Sequence, residues 1–115
     1  MMRRSLAALA LLSGCSSAAP ESDLQYIKQA RSIAAEWALV NEQANEGRLT
    51  ATYVDSMHQW LNDGLRTAAT SLSAPESRYA GEMKALLAEP PGASPGELRA
   101  HAEALKRIED QLESA

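Results

Sequence analysis

Three helix-start signals are the feature of this sequence that most restricts its fold. Ser22, Ser73 and Ser94 each have a Glu or Gln three residues later and stand at the expected start of a helix. In such a capping box the Ser side chain accepts a hydrogen bond from the first turn, and the Glu or Gln side chain bonds back to the cap. Each box stands before apolar residues spaced three and four positions apart, the period of an amphipathic helix. The sequence therefore predicts an all-α chain.

Breakers and caps predict where these helices end. The first helix is expected over about 23–46, because Gly47 can adopt the left-handed conformation common after a helix. Thr50 is the expected cap of the second helix. A shorter third helix, about 75–88, precedes Pro90-Pro91-Gly92, which cannot continue it. The fourth runs from the Ser94 box to about residue 113.

The short links between these helices favour antiparallel neighbours. We expect a small antiparallel bundle of about four helices, the third one short, after an N-terminal signal segment. The first helix should bury Tyr26, Ala30, Ile33, Trp37, Val40 and Ala44; the second should bury Val54, Met57, Leu61, Leu65, Ala68 and Leu72.

A few positions on the long helices leave alternatives open. Trp37 and Trp60 are expected in the core, and an exposed Trp would mark a contact patch. Leu39 lies outside the row of apolar positions that the first helix is expected to bury, so it marks either an interaction surface or a contact with the third helix. Gly64 either permits a close helix crossing or a kink, or is a tolerated flaw; the last is favoured.

The first fourteen residues have the layout of an export signal. Arg3 and Arg4 precede a short apolar run, Leu6–Leu12, and the small residues Ser13 and Gly14 follow. A membrane span needs about 20 apolar residues, so this run is too short to be a permanent anchor. Translation can start at Met1 or at Met2.

The stretch Leu12-Ser13-Gly14-Cys15 resembles the lipobox of bacterial lipoprotein precursors. The resemblance implies cleavage between Gly14 and Cys15 and a lipid on the Cys15 sulfur, with further acylation of the new amino terminus. Ser16 follows the cysteine, and in enteric-type lipoproteins a residue other than Asp there implies sorting to the outer membrane. The implied organisation is a signal peptide over 1–14, lipidated Cys15 with a short tether over 15–21, and a bundle domain over 22–115.

Two other readings of this segment compete. An ordinary signal could be cut later, near Ser17-Ala18-Ala19, although Pro20 disfavours a cut directly after Ala19. Alternatively, Cys15 is incidental. It is the only cysteine, so no intramolecular disulfide is possible.

Charge restricts the partners of the mature domain. Loss of Arg3 and Arg4 leaves nine basic residues against fifteen acidic ones, a formal charge of −6. Nucleic acid attracts clustered basic surfaces, and anionic lipid attracts basic segments, so neither is an expected partner. The membrane would be held through Cys15, and an envelope protein is a further possible partner.

Candidate chemistry is sparse, and no catalytic residue, cofactor or metal site is predicted. Asp55 and His58 could form an acid–base pair three residues apart, but a solvated face is favoured. With Glu97-x-x-x-His101 they could supply metal ligands, yet the ferritin-like pattern is not met. A half-buried, hydrogen-bonded His101 is favoured over a ligand. Axial haem ligation by Met57, Met83 or His101 is a further option, but Met is commoner as core filler.

The mature part resembles the small, uncharacterised helical lipoproteins of Gram-negative bacteria, and that likeness implies no site residues. The leading expectation is a non-enzymatic envelope lipoprotein that faces the periplasm and acts as an interaction or structural module. The alternative is a periplasmic binder of haem or lipid, with a pocket between helices lined by Trp, Met and Tyr. The third hypothesis is an enzyme centred on His58 and Asp55.

Overall fold

The computed structural model describes the backbone of residues 2–114 and the side chains of residues 21–114. Over this range the chain forms four helices and no strand. They are α1 (Met2–Asn45), α2 (Ala51–Thr70), α3 (Arg78–Leu87) and α4 (Pro95–Ser114). The predicted all-α fold with a short third helix is therefore confirmed.

Ion pairs show how α1 and α4 run relative to one another. Arg31 Nε lies 2.7 Å from Glu109 Oε1, and Glu42 pairs with Arg99 farther along. Residue numbers rise along α1 as they fall along α4, so these two helices are antiparallel. Glu109 is buried, which makes its pair with Arg31 the better shielded of the two.

The turn between α1 and α2 follows the sequence prediction. Gly47 has φ of 72°, the left-handed conformation that favours glycine. The Thr50 side chain accepts a hydrogen bond from Tyr53 N at 3.2 Å and caps α2. Farther along this hairpin, a Cβ at Gly64 would lie 3.3 Å from Ile33 Cδ1. Gly64 is therefore a point of close helix approach, contrary to the favoured prediction of a tolerated flaw.

The core is built around α1, which packs against each of the other helices. Most of the predicted apolar positions are buried, while Tyr26, Ala44, Val54, Met57 and Leu72 are half-buried. Small residues of α1 allow its neighbours to approach closely. The buried apolar residues are Ile27, Ala30, Ile33, Ala34, Trp37, Ala38, Val40, Leu61, Leu65, Ala68, Tyr79, Ala80, Met83, Leu86, Ala93, Leu98, Leu105 and Ile108.

Of the three predicted capping boxes, only the third has its serine in the predicted capping bond. Ser94 accepts a hydrogen bond from Glu97 N at 3.2 Å, as predicted. The first box is wrong, because α1 runs through Ser22 and the Gln25 side chain donates to the Ser22 carbonyl. The second is also wrong, since α3 begins later and its cap is Ser77, which accepts from Ala80 N.

Asp23 is the reason why the second box fails. Its buried carboxylate accepts hydrogen bonds from Ser73 N and Ser73 Oγ, both at 2.8 Å, and from Ala74 N at 3.1 Å. The hydroxyl of Tyr79 donates to it at 2.7 Å. These bonds hold residues 73–74 against α1 and occupy the Ser73 N–H that Glu76 would accept in the predicted box, and α3 starts later with Ser77 as its cap.

The same contacts set the ionisation of Asp23. Burial is the largest influence and by itself would raise the pKa. The hydrogen bonds from Ser73, Tyr79 and Ala74 together outweigh it and hold the pKa of Asp23 below its ordinary value. Burial, followed by the bond to Asp23, raises the pKa of Tyr79. The carboxylate is therefore charged and the phenol neutral at physiological pH.

Candidate functional site

Cys15 and Gly14, the predicted lipidation and cleavage residues, lie outside the residues whose side chains the structure describes. The lipobox therefore stays a sequence prediction. Among the described residues, no helix combines the length and the apolar character needed to cross a membrane.

Asp55 and His58 do not form the pair considered from the sequence. Asp55 is exposed, as expected for a solvated face. His58, in contrast, is half-buried, and its Nε2 lies 2.7 Å from Asn41 Oδ1 on α1. The ring therefore contacts the neighbouring helix, and no hydrogen bond within the described part of the chain joins it to Asp55. An acid–base role that depends on this pair is not supported.

The surroundings of Asn41 determine the tautomer of His58. Asn41 Nδ2 donates to Pro91 O at 3.0 Å and to Ala93 O at 2.8 Å. Both amide hydrogens are thereby used on carbonyl oxygens, so the amide oxygen is the atom that faces His58. Because Asn41 Oδ1 has no hydrogen, it can only accept a hydrogen bond. His58 Nε2 must therefore carry the hydrogen and donate it. In the neutral ring, Nδ1 then has a free lone pair.

A recess of about 400 Å³ opens beside this imidazole. Trp37 closes its inner side, with the indole and imidazole centroids 6.5 Å apart and the rings tilted by 59°. Trp37 Nε1 donates to Pro91 O at 2.8 Å, which fixes the α3–α4 loop against α1. The recess is lined by Trp37, His58, Gln59, Asn62, Leu87, Glu89 and Pro91. It contains no Met or Tyr, unlike the pocket expected for haem or lipid.

Glu89 links the recess to the second histidine. His101 Nε2 lies 2.8 Å from Glu89 Oε2, and Nδ1 lies 2.7 Å from Glu82 Oε1. Two carboxylates can both be satisfied only if both ring nitrogens donate, which describes an imidazolium. Burial, the largest influence, would lower the pKa of His101, but hydrogen bonds and charge attraction from Glu82 and Glu89 outweigh it and raise the pKa.

This geometry confirms the half-buried, hydrogen-bonded role expected for His101. A ring that donates from both nitrogens has no lone pair for a metal or for haem iron. Glu97, the other half of the sequence-derived metal pattern, is exposed. Met83 is fully buried in the core and acts as packing, as favoured from the sequence. Met57 is half-buried against the same core.

One group of carboxylates, Glu109, Asp110 and Glu113, is close enough within residues 21–114 to be considered for a metal. Each member already has a cation. Glu109 pairs with Arg31, Asp110 with Lys106 and Glu113 with Lys28. The cluster is therefore neutralised by the protein itself, and its arrangement does not indicate a metal.

Trp60 is the clearest departure from the predicted core. Trp37 is buried as expected, but Trp60 is 63% exposed. Trp60 and Tyr53 are seven residues apart and so share one flank of α2, while Leu61 and Leu65 occupy the core-facing side. Leu39 on α1 is also exposed, so the prediction of a contact with the third helix is not supported.

The exposed indole lies at a second concavity, an open groove of about 490 Å³ between α1 and α2. Its apolar part comes from Ile33, Trp60, Leu61 and the bare backbone of Gly64. Glu36 and Asp63 supply two carboxylates, and Gln29, Ser32 and Thr67 complete the lining. No basic residue lines the groove, so the charged groups around its apolar part are both acidic.

No known protein family, curated protein or solved structure matches this chain.

Sequence reasoning missed Asn41, Glu82, Glu89 and the Pro91 carbonyl. A signal for Asn41 was present, because this carboxamide lies four residues after Trp37, in register with the buried stripe. A polar side chain at a core position needs partners on another element. Nothing comparable in the sequence indicates Glu82 or Glu89, because acidic residues are common on exposed helix faces.

Proposed function

We propose that this chain is a lipid-anchored lipoprotein of the bacterial cell envelope whose bundle is a non-catalytic interaction module. The proposed contact surface is the α1–α2 groove around Trp60. The lipobox supports the anchor, and the exposure of Trp60 supports the contact surface. That exposure is the observation that carries the proposal.

A Trp at the edge of a groove is energetically suited to binding. An indole buries roughly 150–250 Å² on association, and Trp is enriched among the residues that dominate binding energy. In this protein most of the Trp60 side chain faces solvent, whereas Trp37 is buried in the core. The bundle thus leaves most of Trp60 outside its own core.

The charge around the groove indicates the chemistry of the partner. Glu36 and Asp63 line it beside Ile33 and Leu61. An apolar side chain flanked by Lys or Arg would satisfy both features, as in an amphipathic helix laid into a groove. The proposed partner is therefore a basic amphipathic helix of another envelope protein. The acidic lining disfavours anionic lipid as the occupant.

The anchor is tested by metabolic labelling with palmitate. The native chain should be labelled and recovered in the outer membrane fraction, and Cys15→Ala should be unlabelled and released. Ser16→Asp should keep the label but remain in the inner membrane. Label that survives in Cys15→Ala would contradict the lipid attachment site.

The contact surface is tested by photo-crosslinking in cells. A benzophenone amino acid in place of Trp60 should give a discrete protein adduct, and the same group in place of Ala85, exposed on α3, should not. The adduct should disappear when Glu36 and Asp63 are both changed to Lys. Equal crosslinking from both positions, or crosslinking to lipid alone, would refute this surface.

A further inference from the structure

We propose that the recess between α1, α2 and the α3–α4 loop binds a small protonated primary amine through His58 and Glu89. This site is separate from the Trp60 groove, and the two share no lining residue. The inference therefore does not depend on the proposed protein contact.

The first group that carries the inference is the imidazole of His58. Its Nε2–H is committed to Asn41 Oδ1, so the neutral ring presents Nδ1 as an acceptor. Nδ1 has no protein partner in the described part of the chain. Every buried side-chain nitrogen and oxygen there is satisfied, so this unpaired atom must be reachable from solvent. His58 lines the recess, and its lone pair is available to a ligand that donates a hydrogen.

The second group is the Glu89 carboxylate. One oxygen, Oε2, accepts from His101, and Oε1 remains available. The trio of Glu82, His101 and Glu89 carries two negative charges and one positive charge, a net charge of −1. Its negative charge reaches the recess through Glu89, which lines the cavity while Glu82 does not. A cation is therefore favoured there over an anion.

The rest of the lining limits the size and shape of the ligand. Leu87 and Pro91 supply apolar wall, and Trp37 closes the inner side. No Lys or Arg lines the recess, although the lining residue Asn62 accepts a hydrogen bond from the exposed Arg66. A volume of about 400 Å³ is at the small end of ligand sites. An ammonium group on a short aliphatic chain can donate hydrogen bonds to His58 and Glu89. Its carbon chain can pack against the apolar wall.

The test uses the full chain as purified, labelled with ¹⁵N, and n-butylammonium as the probe. We expect saturable shifts of the His58 side-chain nitrogens, with a dissociation constant on the order of 1 mM for a ligand of five heavy atoms. The neutral isostere 1-butanol and the anion butyrate should bind at least about tenfold more weakly. Before any addition, the spectrum should show His58 as the Nε2–H tautomer.

Matched variants separate binding from folding. Glu89→Gln should weaken butylammonium binding at least about tenfold, because it removes the charge that lines the recess. The control is Glu103→Gln, which removes an exposed carboxylate that does not line the recess and should bind within about twofold of the native chain. The inference is overturned if butanol binds as tightly as butylammonium, if Glu89→Gln binds normally, or if His58 does not respond.

Discussion

Asn41 Oδ1 accepts a hydrogen bond from His58 Nε2 at 2.7 Å, and this polar contact links the buried face of α1 to α2. The same carboxamide donates to two carbonyls of the α3–α4 loop. Asn41 is therefore the junction of three elements. It also decides which nitrogen of His58 carries the hydrogen, so a contact of the fold sets the chemistry of a residue that lines the recess.

Replacing Asn41 should cost stability because two of its three partners depend on it. We expect Asn41→Ala to lower the free energy of unfolding by about 2–3 kcal/mol, since the Ala93 carbonyl and the His58 N–H lose their hydrogen bonds, while the Pro91 carbonyl keeps the bond from Trp37 Nε1. Urea denaturation followed by circular dichroism measures this. The exposed Asn45→Ala is the control and should change stability by less than about 0.5 kcal/mol. Equal effects of the two substitutions would contradict the junction role.

His101 should make the stability depend on pH on the alkaline side. Its pKa is raised in the folded chain, so its contribution is fully present below the ordinary value of about 6.5 and is lost as the pH rises through the folded pKa. The free energy of unfolding should therefore be higher at about pH 6 than at about pH 9. In His101→Gln, which cannot be charged, this difference should shrink clearly. An unchanged pH profile in the variant would rule out His101 as its source.

Asp23 should make the stability depend on pH on the acidic side. Its folded pKa lies below the ordinary value, so its contribution is present above the unfolded pKa of about 3.9 and is lost as the pH falls through the folded pKa. Asp23→Asn keeps the size but cannot accept all four hydrogen bonds, and should cost about 2–4 kcal/mol at neutral pH. It should also reduce the sensitivity of stability to acid. Glu21→Gln, an exposed neighbour, is the control in the same acid titration.

Gly64 and Ile33 should show coupled stability effects. In a helix interior Ala is favoured over Gly by about 1 kcal/mol, but a Cβ here would lie 3.3 Å from Ile33 Cδ1. We expect Gly64→Ala to gain less than this amount in the native chain. In the Ile33→Val background, which lacks the Cδ1 methyl group, Gly64→Ala should raise the free energy of unfolding by the full amount of about 1 kcal/mol. A double-mutant cycle with coupling of less than about 0.3 kcal/mol would show that the helices do not meet closely at this point.

The correct sequence predictions concern structure that is local in the chain. The turn at Gly47 that follows α1 and the caps Thr50 and Ser94 depend on residues within one turn, so spacing alone identifies them. The apolar stripes likewise indicated most of the core, because helical periodicity determines which positions share a face. The half-buried state of His101 followed from its position beside such a stripe.

Tertiary contacts overrode the local signals elsewhere. Ser73 has the local pattern of a cap, yet its backbone and hydroxyl bond to Asp23, fifty residues earlier. Trp60 is apolar and near the stripe, but only the placement of α1 against α2 decides that its indole stays in solvent. The partners of His58 and His101 come from other elements, and spacing along one helix contains no information about them.

The sequence by itself thus determined the all-α class, the position of the turn after α1 and the short links, because each depends on neighbouring residues. It also carries the resemblance to a lipobox on which the proposed anchor rests. Only the tertiary structure decided which polar side chains meet, which tautomer His58 adopts and which tryptophan is left outside the core. Those outcomes depend on distances between helices, and the packing of the whole bundle sets those distances.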